Sequence, residues 1–164
     1  MSSKSLMIEQ ILTMLAETPR RIATLTTDLS PAQLHISPNH GEWSANDVLA
    51  HLRSCSDVWG NCIKVIISQD KPIIRAVNPR TWINRTDYLE QKFQPSLYAF
   101  ATQRADLLAV LETLPRKSWS RKVIVTGAGK PLVRTVHAYA QRLASHERPH
   151  IKQIERIVNT LYIK

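Results

Sequence analysis

Apolar residues recur at three- and four-residue steps along four long stretches of the chain. Ile8, Ile11, Leu12, Leu15, Ile22, Leu25 and Leu29 make the first set, one face of a helix. Pro19 lies within it; without an N–H, and clashing with the preceding turn, it is expected to kink or restart the helix. Ser30-Pro31 reads as an N-cap followed by proline at the first helical position, opening a short turn through Leu34. Residues 35–42, with Pro38, Asn39 and Gly41, read as a loop. Ser44 and Asp47 have capping-box spacing, so a second helix starts at Ser44. Its stripe is Val48, His51, Leu52, Cys55, Trp59, Cys62, Ile63 and Ile66. The pattern fails over 70–85, where Pro72 and Pro79 mark a connection, and 88–93 adds a turn at most.

A third long helix is expected over 95–114, with Leu97, Phe100, Leu107, Leu111 and Leu114 inward. The fourth starts at 131 or 135 and runs to 160, with Val136, Tyr139, Leu143, His146, His150, Ile154, Ile157 and Leu161 on one face. Val123-Ile124-Val125 followed by Thr126-Gly127-Ala128-Gly129 is the one β-like piece. Its Gly-Ala-Gly-Lys runs into proline and lacks the spacing of a phosphate-binding loop, so 122–130 is expected to be an extended loop crossing between helices. Four amphipathic helices and no internal repeat predict an all-α four-helix bundle forming one domain over 1–164.

Composition narrows the picture further. Four glycines in 164 residues fall well below the average of about 7%, leaving little material for tight hairpins. Cys55 and Cys62 on one helix would stand about 10.5 Å apart, beyond the ~7 Å reach of a disulfide, so the chain reads as reduced. The first 17 residues mix Lys4, Glu9, Gln10 and Glu17 with apolar residues and show no leader pattern, and no apolar run approaches a membrane span. A cytoplasmic protein is expected.

The net charge of +9 is lopsided. Residues 1–57 hold four basic and six acidic side chains, whereas the densest basic stretch is Arg116, Lys117, Arg121, Lys122, Lys130 and Arg134. Such a cluster attracts nucleic acid or an anionic small molecule. With no helix-turn-helix, zinc-finger or RNA-binding signature beside it, a solvated basic loop is the plainer reading.

The chemistry lies in the histidines. His146-Glu147-Arg148-Pro149-His150 matches the HExxH pattern of zinc proteases. Only fourteen residues follow His150, and Pro149 strains the helix, so the protease reading is set aside. The spacing still places two imidazoles on one inward face about 6 Å apart. His51 is the remaining histidine on an apolar helix face, and three imidazoles converging in a bundle core would leave room for water or substrate. Cys55, one turn from His51, reads as small buried packing. Glu147 is a candidate catalytic base or histidine-orienting group, and otherwise a partly exposed helix carboxylate. Trp43 is expected to staple the loop onto the second helix, Trp59 to fill the core, and Trp82 and Trp119 to cover it. His35, His40 and His137 lie off the ligand faces.

Leu29-Ser-Pro-Ala-Gln-Leu34, Gly41-Glu-Trp-Ser44 leading into Asp47-Val-Leu-Ala-His-Leu52, and His146-Glu-Arg-Pro-His150-Ile-Lys-Gln-Ile154 together resemble the DinB/YfiT-like family of metal-binding bundle proteins. The resemblance implies an up-down-down-up four-helix bundle, often homodimeric. It also implies a divalent metal, zinc or nickel with manganese as a further option, held by His51, His146 and His150. Similar proteins include S-transferases using low-molecular-weight thiols such as bacillithiol, and maleylpyruvate isomerases using mycothiol. A metal-dependent hydrolase or thiol S-transferase acting on a small molecule is therefore expected, the cation lowering the pKa of bound water or thiol. The alternative is a non-catalytic bundle binding a partner or nucleic acid through its basic surface.

Overall fold

The computed structural model describes residues 4–163, so residues 1–3 and 164 of the expected domain lie outside the described residues. Its four long helices are α1 (Ile8–Thr26), α2 (Ala45–Ser68), α4 (Phe93–Thr113) and α5 (Val136–Ile163). The connections carry β1 (Ile73–Arg75), a short α3 (Pro79–Trp82), β2 (Lys122–Thr126) and β3 (Leu132–Thr135). No helix among the described residues is long and apolar enough to cross a membrane.

The caps read from the sequence form as reciprocal hydrogen bonds. Asp47 N–H donates to Ser44 Oγ at 3.1 Å while Ser44 N–H donates to the Asp47 carboxylate at 2.9 Å. Ser30 and Gln33 repeat the arrangement at the 3-10 turn Gln33–His35.

Neither proline ends its helix. α1 runs unbroken through Pro19, because the Leu15 carbonyl that this proline leaves without a partner accepts instead from Arg104 Nη1 of α4, at 2.9 Å. α5 likewise continues through Pro149, and Ser145, whose carbonyl loses its helical donor, sits on the exposed side where water can serve it.

The expected crossing loop over 122–130 is also corrected. β2 is the middle strand of a three-stranded sheet, parallel to β1 and antiparallel to β3. Val123 and Val125 are buried and Ile124 faces out, the period of a half-buried strand. The scarce glycines suffice for this hairpin: Gly127 and Gly129 sit at φ +87° and +83°, which side-chain-bearing residues rarely adopt. β3 occupies 132–135, so the last helix begins at Val136 rather than at 131.

α1 packs on α4 and α5, and α2 packs on the same two helices, which puts α1 and α2 at opposite corners. β1 follows α2 and β2 follows α4. Their parallel pairing reflects two helices ending at the same end of the bundle, while the β2–β3 hairpin sends α5 back the other way. This is the up-down-down-up arrangement.

The core divides into two apolar clusters, one containing Ile11, Leu15, Trp59 and Leu107, the other Ile22, Leu52, Phe100 and Ile154. Between them each helix contributes a polar or reactive side chain at one level: Thr18 from α1, Arg104 from α4, Glu147 from α5, and the His51–Cys55 turn from α2. Arg104 and Glu147 are each only 1% exposed and pair at 2.5 Å.

Candidate metal centre

At that level, where α2 faces α5, three imidazoles meet. The His51 ring lies 5.2 Å from that of His146 and 4.8 Å from that of His150, and the two α5 rings are 4.7 Å apart. His51 Nε2 approaches His146 Nε2 to 3.0 Å. His150 directs Nδ1 at Gln153 Oε1, 2.8 Å away; with the proton on Nδ1, Nε2 keeps its lone pair for a ligand role.

Cys55, assigned by the sequence to packing, belongs both to the core and to this cluster. Its Sγ stands 3.6 Å from His51 Nε2 and from His146 Nε2. Among the described residues, His51, Cys55 and His146 form the group whose donor atoms all lie within 4.8 Å of one another. Donors on one tetrahedral zinc stand about 3.3 Å apart for two nitrogens and about 3.6 Å for nitrogen and sulfur, given bonds of about 2.0–2.3 Å. These three donors are thus close enough to share one cation with little rearrangement, whereas His150, expected as the third ligand, has its ring beside them but falls outside that group.

Burial, aided by the neighbouring imidazoles and by Arg80, lowers His51 from 6.5 to about 4; burial with His150, Arg142 and Arg80 does the same to His146. Both rings are therefore neutral at physiological pH, the form that ligates metals. Burial, then the Glu147 carboxylate, pushes the Cys55 thiol up to about 12. The sign of the pH dependence follows. As pH falls from 6.5 towards about 4, the unfolded chain takes up protons that the buried imidazoles refuse, so the metal-free protein loses stability across that window. Thermal melts of chelator-treated protein between pH 7 and 4.5 should show this loss, and His51→Ala/His146→Ala should flatten it. Equal slopes in the two proteins would contradict it.

Two tryptophans wall the cluster. Trp43 stacks near His150 at 6.3 Å and stands 5.2 Å from His51, which is more than the staple expected of it, while Trp59 meets His146 edge-on at 5.2 Å. Trp119 is buried as a core cover, and the Trp82 indole donates to Asp57. Glu147 is not the partly exposed carboxylate expected of it. Its oxygens accept from Arg104 and from the Thr18 hydroxyl at 2.8 Å, inside the core. Among the remaining histidines, His35 and His40 are exposed and His137 bonds the Leu6 carbonyl at 2.8 Å.

The cations acting on the cluster are Arg80 and Arg142, neither of which the sequence reading singled out. Arg142 precedes His146 by one turn, a visible signal; Arg80 arrives on α3 from a stretch without periodicity. Within the basic segment, Arg116 pairs with Glu9, and Arg121 donates to the carbonyls of Ile67 and Gln69 at the end of α2.

A family model of the DinB superfamily matches residues 14–154. Among curated proteins, no sequence match is found. Among solved structures, the chain is similar to YfiT from Bacillus subtilis, described as a probable metal-dependent hydrolase with an unusual four-helix bundle topology. The TM-score is 0.80 at 18% identity, over 98% of this chain and 93% of that one. At that identity the likeness establishes a shared fold.

Proposed function

The chain belongs to the DinB superfamily, and from that premise we propose that it is a metal-dependent enzyme whose cation is held by His51, His146 and His150. The reaction is hydrolysis or S-transfer from a low-molecular-weight thiol, on a small-molecule substrate. Zinc or nickel is the first choice of metal and manganese the second. The observation that carries this reading is the meeting of three imidazoles, with ring centres 4.7–5.2 Å apart, between α2 and α5. YfiT, with the same fold, is described as a probable metal-dependent hydrolase, which agrees with it.

A divalent cation there would acidify a bound water or thiol and polarise an electrophile. The chain's own groups prepare that chemistry. Gln153 orients His150 through Nδ1, while Trp43 and Trp59 flank the rings. Arg80 and Arg142 raise the local concentration of anions. Glu147, with its carboxylate committed to Arg104 and Thr18, serves as a positioning residue for α5 rather than as a base. One domain over the full chain and a cytoplasmic setting complete the proposal, with a homodimer resting on the family resemblance. Nucleic acid is left out of it because no nucleic-acid-binding signature accompanies the basic segment, of which Arg121 is engaged with the end of α2.

The test is metal analysis of protein made without a histidine tag and exposed in turn to zinc, nickel and manganese, followed by assay against thiols, electrophiles and esters. About one metal per chain and metal-dependent turnover are expected. Protein that remains metal-free after all three exposures would overturn the reading.

A further inference from the structure

Behind Trp59, on the face of the α2–α5 pair covered by the small sheet, lies a cavity of about 400 Å³. Val125 and Leu132 supply apolar wall from the sheet, and Trp59 and Tyr139 from the helices; Arg134 and Arg142 add two guanidinium groups. No aspartate or glutamate lines it. Among the described residues neither arginine is ion-paired, and Arg142 lies over the Trp59 ring at 4.8 Å. Burial raises both Tyr139 and Cys62 above their ordinary values, so neither adds a competing negative charge. The volume falls within the range of about 300–1,000 Å³ usual for small-molecule pockets. Trp59 also borders His146, so the cavity and the imidazole cluster share this side chain as a wall.

The other cavities differ in this respect. The one beside His150 and Trp43 includes Glu42 among its walls. The one beside Asp57 has its carboxylate already bonded by Trp82, Tyr88 and Gln103.

We propose that the cavity between the sheet and the α2–α5 face is a substrate subsite for a molecule with an apolar body and an anionic head, Arg134 and Arg142 pairing the head. Two guanidiniums beside an apolar wall match a carboxylate or phosphate carried on an aromatic or aliphatic group, since each fork can make two parallel hydrogen bonds to such an anion. As a substrate subsite it rests on the metal-centre reading, but its anion binding requires none of the three histidines. Arg134 thereby gives one residue of the basic segment a ligand-binding role.

The test is calorimetric titration of the metal-loaded protein with phenylacetate, phenyl phosphate and neutral phenylacetamide, repeated on chelator-treated protein. At least one anion should bind ten-fold or more tighter than the amide. Arg134→Gln/Arg142→Gln should erase that preference while leaving metal content and thermal midpoint unchanged, and Arg20→Gln should behave as the parent. The two anions distinguish a carboxylate from a phosphate head. Equal binding of all three probes, no binding of any, or an unchanged preference in the double variant would overturn the proposal. Stoichiometric metal without anion preference would sink the subsite alone, whereas anion preference without bound metal would sink the metal centre alone.

Discussion

Arg104→Met should lower the thermal midpoint by roughly 6–20 °C, equivalent to about 3–5 kcal/mol in a chain of this length. The variant leaves the Glu147 carboxylate buried without its cation. Glu147 is 1% exposed and receives both terminal nitrogens of Arg104, at 2.9 and 2.5 Å. The same guanidinium supplies the donor that Pro19 denies the Leu15 carbonyl, so the single change also orphans a backbone acceptor in α1. Arg104→Met/Glu147→Leu should recover most of the loss, because replacing both charges by apolar side chains removes the uncompensated ion. Breaking the exposed Arg116–Glu9 pair should change the midpoint little, since solvent screens it. Circular-dichroism melts decide the matter; a single variant as stable as the parent would show that the pair contributes nothing.

That pair also explains how a protease-like motif is used in this bundle. Anchoring Glu147 to α4 fixes the rotation of α5 at the turn that carries His146 and His150. The carboxylate thus faces one side of the helix and the imidazoles another, towards α2. A histidine pair needs such an anchor, because rotation of α5 would move both rings away from His51.

The helices and caps were legible because burial imposes a 3.6-residue period and orphaned N–H groups select particular side chains, as at Ser44 and Asp47. The imidazole cluster was legible for the same reason, each histidine falling where an apolar residue belongs. Arg104 falls there too, four residues after Phe100 and three before Leu107, and so does Glu147, four after Leu143. Their charge argued for exposure, and only a partner far along the chain makes burial affordable. The sheet was hidden differently, although Val123-Ile124-Val125 read as β-like. Three to five residues are too few to show a period, and pairing of β1 with β2 depends on two distant helices ending together. Cys55 shows the limit of residue type: a buried cysteine one turn from a histidine looks the same whether it packs or ligates.

Removal of single donors should separate those two roles for Cys55. His51→Ala, His146→Ala and His150→Ala should each weaken metal binding on the order of 100-fold or more, beyond the 10- to 100-fold typical of losing an orienting neighbour such as Gln153. Cys55→Ser should leave the affinity within about ten-fold of the parent, and cobalt-loaded parent protein should lack the near-ultraviolet thiolate-to-metal band. The physical reason is the cost of the proton. Neutral imidazoles ligate as they stand, whereas a thiol held near 12 must first be deprotonated inside the core. The outcome bears directly on catalysis. Three imidazoles leave a coordination position open to water or substrate, as catalytic sites do, whereas three imidazoles and a thiolate would fill a tetrahedral site and make it structural. A thiolate band in the cobalt protein that disappears in Cys55→Ser would therefore overturn the catalytic assignment while leaving the metal centre itself in place.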